Sequence, residues 1–165
     1  MAAVNEVLPE IYLYPGETQL VSQPTIIRTV LGSCVSVAFW APSVGASALC
    51  HAMLPNAPLG ARIEASQGRR YVDFAIRELA RRFDSLGALR SEVQVKVFGG
   101  GDVLMVMVTA NSARRTVGRM NIDVALEVLS EEGFTVAASS LGGTCGIHIS
   151  FNTGTGEVRL RRLSI

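Results

Sequence analysis

The alternation of apolar and polar residues predicts a chain of short strands interrupted by two longer helices. Residues 93–98, V-Q-V-K-V-F, alternate as in a strand with one buried face. Residues 67–86 instead carry apolar side chains three and four positions apart, which is typical of a helix with one buried face. A similar spacing predicts a second helix over 114–132, ending before Gly133.

The remaining strands are predicted from apolar, β-branched and aromatic residues bounded by turn-forming residues. Residues 25–31 and 34–40 are strand-like segments, interrupted or bent at Gly32-Ser33. Residues 46–54 are expected to return beside them as the second strand of a hairpin. Further strands are expected at 10–14, 104–108, 134–140, 146–151 and 157–163.

Many short strands with only two long helices indicate an α/β (α+β) fold with a mixed layer architecture. The chain has 165 residues and shows no internal repeat or linker-like segment. We therefore expect one domain over residues 1–165, with its core at about 10–163.

Charge and cysteine content narrow the class of function. Fifteen basic residues balance 14 acidic ones, so no broad positive surface indicates nucleic acid or a membrane surface as partner. The uncharged run 29–61 is broken by proline and glycine and is too interrupted to insert in a membrane. Three cysteines without C-x-x-C spacing, after a start unlike a signal peptide, predict a cytoplasmic protein with free thiols.

Candidate chemistry centres on Cys34, in the stretch T-V-L-G-S-C-V-S-V-A-F-W. His51 follows 17 positions later on the predicted returning strand, where hairpin partners lie about 5 Å apart. A neighbouring base can activate a cysteine as a nucleophile. A cysteine in a Val/Ala-rich strand is also commonly a small core residue. The spacing alone leaves both interpretations open.

The residues around Cys34 fit a reactive site. Gly32 is expected to adopt backbone angles closed to other residues and to leave room for a substrate. Backbone N–H groups near Gly32 and Ser33 can form an oxyanion hole. The hydroxyls of Thr29 and Ser33 can orient an imidazole or a substrate amide, although β-propensity also explains Thr29.

Two glycine clusters, F-G-G-G-D at 98–102 and L-G-G-T-C-G at 141–146, lack the Gly-Lys-Ser/Thr ending of a phosphate-binding loop. We interpret them as strand ends where other backbone approaches closely. Cys145 and His148 lie near each other in sequence, but no second ligand pair supports a metal site. No metal and no cofactor are predicted, and core packing is the default role for Cys50 and Cys145.

Several motifs occur in an order that resembles a known family. T-V-L-G-S-C-V-S-V is similar to its cysteine motif, and H-A-M-L-P at 51–55 to its histidine motif, at the family's usual separation. Y-V-D-F-A-I-R-E-L is similar to the helix that follows. V-F-G-G-G, V-G-R-M-N, G-G-T-C-G and F-N-T-G-T-G-E-V complete the order. From about residue 10 to 163, the chain resembles the CheD family, the chemoreceptor glutamine deamidases of bacterial chemotaxis.

The resemblance implies a fold similar to that of bacterial toxin glutamine deamidases, with layered mixed β-sheets and two main helices outside. It implies a cysteine hydrolase that converts glutamine side chains of methyl-accepting chemoreceptors to glutamate through a thioester. By position, Cys34 is the nucleophile, His51 the general base and Thr29 the third member. The implied partners are the cytoplasmic helices of chemoreceptors, as substrate, and a CheC-type phosphatase.

Two other functions stay open at this stage. One is an adaptor that binds receptors or a CheC-type phosphatase with weak or no catalysis. The other keeps the Cys–His chemistry but changes the acceptor, as in an amidase, transglutaminase or peptidase. The chain departs from many family members at G-G-G-D-V-L-M-V-M and at Gly146-Ile147, and neither departure affects Cys34 or His51.

Overall fold

The computed structural model describes residues 6–103 and 115–164. Within these ranges the chain forms nine strands, three α-helices and two single-turn 3₁₀ helices. The strands are β1 Glu10–Tyr12, β2 Thr18–Val21, β3 Ile26–Leu31, β4 Val35–Ala41, β5 Ala46–Cys50, β6 Gln94–Gly99, β7 Val136–Leu141, β8 Ile147–Asn152 and β9 Val158–Arg162. The α-helices are α1 Ala65–Gly68, α2 Val72–Ser85 and α3 Val117–Glu131; the 3₁₀ turns are Pro42–Val44 and Arg90–Glu92.

The strands form two sheets that pack face to face. One sheet has the order β1-β3-β8-β9, and the other has the order β2-β5-β4-β6-β7. Both sheets mix parallel and antiparallel pairs, since β1–β3 and β6–β7 are parallel. The predicted fold class, layered mixed sheets with two main helices outside, is confirmed. The likeness to toxin deamidases stays a prediction.

Alternating side chains of β4 show how the layers are arranged. Val35, Val37 and Phe39 join the core under α2 and α3. Ala38 faces the opposite way, into a second core between the two sheets. The five-stranded sheet is therefore the middle layer, with helices on one side and the four-stranded sheet on the other.

The largest local difference from the sequence prediction is in the first helix, expected over 67–86. The structure divides it into α1 and α2, because Tyr71 is extended (φ −103°, ψ 135°) and bridges to Leu54. The carbonyl of Arg70 accepts from the N–H groups of Met53 and Leu54. These backbone pairings override the helical pattern and anchor the segment that follows His51.

The other elements agree with the predicted ones to within a few residues. The second helix, predicted over 114–132, is α3. It begins after Thr116, and the Thr116 hydroxyl accepts a hydrogen bond from the N–H of Arg119 at 3.2 Å. The short strand β2 was not predicted. The strand predicted at 104–108 lies outside the described residues. Within the described ranges, no helix has both the length and the apolar character needed to cross a membrane.

The predicted interruption at Gly32-Ser33 is confirmed, and it is the point where the chain passes from one sheet to the other. The segment before it, β3, belongs to the four-stranded sheet, whereas β4 belongs to the five-stranded sheet. The chain crosses between sheets at this point. Cys34 is the residue directly before β4 and packs against the core between the sheets.

Candidate active site

Cys34 and His51 are diagonal neighbours on one face of the five-stranded sheet. The antiparallel pairing of β4 with β5 continues beyond both strand ends, where Val35 and Ala52 exchange N–H···O bonds of 3.0 and 2.9 Å. In this register Ser36 lies opposite His51, and Cys34 is two positions away on the same face. Side chains in such diagonal positions are within reach of each other. The predicted Cys–His proximity follows from this register.

His51 is held from several directions. Its side chain lies in the interior, and the whole residue is only 2% exposed. Its main-chain N–H donates to the carbonyl of Glu17 at 2.9 Å, and its carbonyl accepts from the N–H of Gly16 at 2.8 Å. Its ring Nδ1 lies 2.7 Å from Oγ1 of Thr29. Thr29 reaches the ring from β3, in the opposite sheet, and is fully buried.

The hydrogen bonds of Thr29 determine the tautomer of His51. The Thr29 hydroxyl lies 2.7 Å from the carbonyl oxygen of Leu13, which can only accept, so the hydroxyl hydrogen is used there. Oγ1 must then accept from the imidazole, which places the ring hydrogen on Nδ1. Nε2 consequently carries the lone pair. This atom is buried and has no hydrogen-bond partner among the described residues.

The Cys34 thiol and the His51 imidazole are both neutral near pH 7. Burial lowers the pKa of His51 to about 4, against smaller opposing contributions from the Leu13 carbonyl and the Glu17 carboxylate. Burial raises the pKa of the Cys34 thiol above its ordinary value, partly offset by the backbone N–H of Cys34 itself. Because the thiolate is the nucleophilic form, the Cys34 proton has to pass to a base such as His51 for the sulfur to attack.

Residues outside the predicted set hold the backbone around Cys34. The N–H groups of Gly101 and Gly100 donate to the carbonyls of Gly32 and Cys34 at 2.9 and 2.8 Å. The side-chain amide of Asn121, in α3, donates to the carbonyl of Ser33 at 2.9 Å. The sequence signal for these residues was present in the V-F-G-G-G and V-G-R-M-N motifs. Without the fold, the motifs alone did not show that these residues contact the backbone around Cys34.

The predicted conformational reason for Gly32 is wrong. Gly32 is not among the glycines with positive φ, and a Cβ there would make only an ordinary contact, 3.6 Å from Val103. The conformational requirement lies instead at Gly99, whose φ is +103°. A Cβ on Gly99 would overlap the carbonyl oxygen of Cys34. The glycine cluster therefore lets β6 approach the cysteine loop, as the interpretation of close backbone approach predicted.

The other candidate residues lie apart from this pair. Cys50 packs in the core under the helices, as predicted, and burial raises its pKa to about 12. His148 lies on the outer face of the four-stranded sheet, where burial, Arg161 and Arg28 lower its pKa. Cys145 borders a cavity of about 240 Å³ lined largely by the two glycine clusters. In the part of the chain that the structure describes, no three His, Cys, Asp or Glu residues are grouped as metal ligands.

Comparison with known proteins agrees with the resemblance seen in the motifs. Residues 53–162 match the model of the CheD family, described as CheD chemotactic sensory transduction. This match starts after Cys34 and His51, but the curated relatives extend over both. A probable chemoreceptor glutamine deamidase CheD 2 from Geobacter sulfurreducens is 43% identical over 164 residues, covering 99% of this chain and 96% of its own length. A probable chemoreceptor glutamine deamidase CheD from Maridesulfovibrio salexigens is 36% identical, covering 93% and 91%.

Among solved structures, the fold is similar to that of the hypothetical protein YfiH from Bacillus licheniformis. The TM-score is 0.51 at 10% sequence identity, over 78% of this chain. The match spans about half of that protein's chain, 51%. At this identity the likeness concerns the fold alone.

Proposed function

This chain belongs to the CheD family, and we propose that it converts glutamine side chains of methyl-accepting chemoreceptors to glutamate. The observation that carries the proposal is the buried Thr29–His51 hydrogen bond. It leaves Nε2 of His51 without a partner among residues 6–103 and 115–164, on the face that His51 shares with Cys34. Curated relatives that cover almost the whole chain are named as probable chemoreceptor glutamine deamidases.

The proposed reaction begins with transfer of the Cys34 proton to Nε2 of His51. The sulfur then attacks the side-chain carboxamide carbon, and the carbonyl oxygen becomes an oxyanion. Backbone N–H groups at Ser33 and Cys34 stabilise that charge, by about 3–4 kcal/mol for each well-directed donor. His51 returns its proton to the nitrogen, the C–N bond breaks, and ammonia leaves a thioester on Cys34.

Hydrolysis of the thioester completes the cycle. His51, neutral again, takes a proton from water as the water attacks the thioester carbon. The S–C bond breaks, Cys34 recovers its proton, and glutamate is released. The receptor gains one negative charge at that side chain, which changes its local electrostatic interactions. Throughout, Thr29 keeps the imidazole in the tautomer that can act as a base at Nε2.

Mass spectrometry of a receptor cytoplasmic fragment tests the proposal directly. The fragment is incubated with the parent chain, with Cys34→Ala, with His51→Ala and with Cys145→Ala as the matched cysteine control. We expect a Gln→Glu mass gain at defined sites with the parent chain and with Cys145→Ala, and none with the other two. An equal gain with Cys34→Ala would refute the mechanism.

The acceptor of the thioester is tested in the same assay. Water as acceptor gives glutamate, whereas a primary amine would give a substituted amide. We expect ammonia release with glutamate as the main product even when a primary amine is added. Amine incorporation as the main product would identify a transglutaminase, and a cleaved fragment would identify a peptidase.

A cytoplasmic location and binding of a CheC-type phosphatase are also part of the proposal; the first rests on the cysteine pattern and the second on the family resemblance. A partner that covers Cys34 would compete with a receptor helix. We expect excess receptor fragment to displace a bound phosphatase of this type. Receptor binding without any mass gain, across several cognate receptors, would support the adaptor function instead.

A further inference from the structure

Three consecutive carbonyls at the cysteine loop are each held by a donor. The carbonyls of Gly32 and Cys34 accept from main-chain N–H groups of the glycine cluster, Gly101 and Gly100. The middle carbonyl, that of Ser33, accepts from the side chain of Asn121. The orientation of the Ser33–Cys34 peptide plane therefore depends on one side chain.

The direction of a held carbonyl fixes the direction of the next N–H. The described residues have no cis peptide bond, so C=O and the following N–H point in opposite directions. The Cys34–Val35 peptide shows this: its carbonyl meets Gly100 on one side, and its N–H meets Ala52 on the other. By the same geometry, a Ser33 carbonyl held toward α3 directs the Cys34 N–H away from α3.

The Cys34 N–H points to the side where the reaction would take place. Burial raises the pKa of the Cys34 thiol, and this N–H opposes that rise by favouring the thiolate. It donates to no backbone carbonyl of residues 6–103 or 115–164. An N–H that lies beside a nucleophilic sulfur and has no acceptor is suited to bind the oxygen that becomes negative when the sulfur attacks a carbonyl.

Asn121 is built into the fold so that it holds this plane. It is completely buried in α3, and its amide nitrogen donates to the carbonyls of Ser33 at 2.9 Å and Met53 at 3.0 Å. Both contacted oxygens are acceptors, so the nitrogen must be the atom that faces them. Its own Oδ1 is buried and has no partner in the described ranges, which is unfavourable for stability.

We propose that Asn121 is a positioning residue that orients the Cys34 N–H as the main oxyanion donor. It does so by fixing the Ser33–Cys34 peptide through the Ser33 carbonyl. The inference rests on the proposed function only for the natural substrate, because any acyl group transferred to Cys34 passes through the same oxyanion. His51 keeps its own contacts with Thr29, Glu17 and Gly16, which do not involve Asn121.

Comparing two reactions of Cys34 tests whether Asn121 orients the oxyanion donor or only supports the fold. Acetyl transfer from p-nitrophenyl acetate forms an S–C bond, breaks the ester C–O bond, releases p-nitrophenolate and develops an oxyanion. Alkylation by iodoacetamide displaces iodide and develops none. Both need the thiol deprotonated. We expect Asn121→Ala to slow acetylation by on the order of tenfold to a hundredfold and to change alkylation by less than about threefold.

Two further variants serve as controls. Val128→Ala removes a buried apolar group from the same helix without touching Ser33, and both rates should stay near those of the parent chain. Asn121→Asp keeps the shape but places a carboxylate against two carbonyl oxygens. We expect the ratio of the acetylation rate to the alkylation rate to be low at pH 8. The ratio should recover as pH falls, because a protonated carboxyl can donate one hydrogen bond to the Ser33 carbonyl.

Each outcome decides the inference. Equal loss of acetylation and alkylation in Asn121→Ala would mean that the side chain only supports the fold. No loss of either would mean that the peptide is held without it. If the parent chain acetylates Cys34 and shows the predicted difference but does not deamidate receptors, the proposed function fails while the role of Asn121 stands.

Discussion

At the scale of single residues, a hydroxyl determines what His51 can do. A histidine buried to this degree could carry its hydrogen on either ring nitrogen. The Thr29 hydroxyl uses its hydrogen on the Leu13 carbonyl and leaves only a lone pair for Nδ1. The sequence offered the Thr29 hydroxyl as a group that can orient an imidazole, and the family resemblance implied that Thr29 is the third member of the site. The structure supplies the physical reason, which is a contact between two sheets.

Thr29→Val tests this contact while preserving the β-branched shape. Valine cannot accept from Nδ1–H, so the imidazole loses the preference that keeps Nε2 unprotonated. We expect the deamidation rate to fall by about a hundredfold or more, within the range that general-base catalysis contributes. Thr29→Ser, which keeps the hydroxyl, should stay within about tenfold of the parent chain. Equal rates in both variants would show that the hydroxyl has no part in catalysis.

His51 also makes the stability of the protein depend on pH. Its pKa is about 4 in the folded chain and 6.5 ordinarily, so between these values the unfolded chain binds a proton that the folded chain excludes. Stability from this group is complete above pH 6.5 and is lost as pH falls toward 4. The total is about 3 kcal/mol.

Urea unfolding at pH 7 and pH 4 measures this contribution. Carboxylates also weaken the fold in acid, so the comparison is with His51→Gln, which cannot titrate. We expect the free energy of unfolding to fall by about 3 kcal/mol less in the variant than in the parent chain. Identical losses would mean that His51 titrates normally in the folded state.

At the scale of elements, α3 sits directly on the glycine cluster that follows β6. A Cβ on Gly118 would lie 2.6 Å from the carbonyl oxygens of both Gly100 and Gly101. The same approach brings Asn121 to the cysteine loop. The sequence predicted the glycine cluster as a place of close backbone approach, and this is confirmed. It did not indicate which element approaches, because that depends on packing between distant segments.

Gly118→Ala tests this close approach, because the direction in which it changes the free energy of unfolding depends on whether α3 contacts the glycine cluster. In an ordinary helix interior, alanine is more favourable than glycine by about 0.5–1 kcal/mol. Here the added methyl group must push α3 away from the backbone, at a cost of roughly 1–3 kcal/mol. We expect lower stability in urea and a lower deamidation rate. Ser130→Ala, at an exposed position of the same helix, should not lower either.

The divided first helix shows the limit of local patterns. Its apolar spacing predicted one helix over 67–86, and α2 does bury that face. The part before Val72 instead donates and accepts backbone hydrogen bonds with the segment after His51. A periodic pattern indicates which face of a helix is buried. It does not indicate that the backbone of Arg70 and Tyr71 pairs with a distant segment.

At the scale of the whole molecule, the candidate site depends on how the two sheets pack. Cys34 and His51 are adjacent to β4 and β5 of the five-stranded sheet, and Thr29 belongs to the four-stranded sheet. The core between the sheets sets their separation, with large buried side chains such as Phe151 and Ile149. The core under the helices sets the position of α3. The two cores should therefore affect the site through different contacts.

Ile149→Ala and Leu129→Ala compare the two cores. Both residues are fully buried, so each truncation should lower the free energy of unfolding by about 2–5 kcal/mol. Ile149 lies opposite Thr29 in the β3–β8 pair, whereas Leu129 is a residue of α3 and packs in the core under the helices. We expect the Thr29–His51 contact to loosen only in Ile149→Ala. Alkylation of Cys34 at pH 7, measured well below the melting temperature, should slow at least several-fold more in that variant.

The sequence by itself determined most of the elements, the fold class and the family of this protein. Periodicity and turn residues act locally, and motif order survives where overall identity is modest, so these features can be read without coordinates. The hairpin register that places His51 near Cys34 is also short-range. Only the tertiary structure decided that Thr29 meets His51 across two sheets and that Asn121 holds the cysteine loop. Both contacts join segments far apart in the chain, and their geometry comes from core packing that no local pattern encodes.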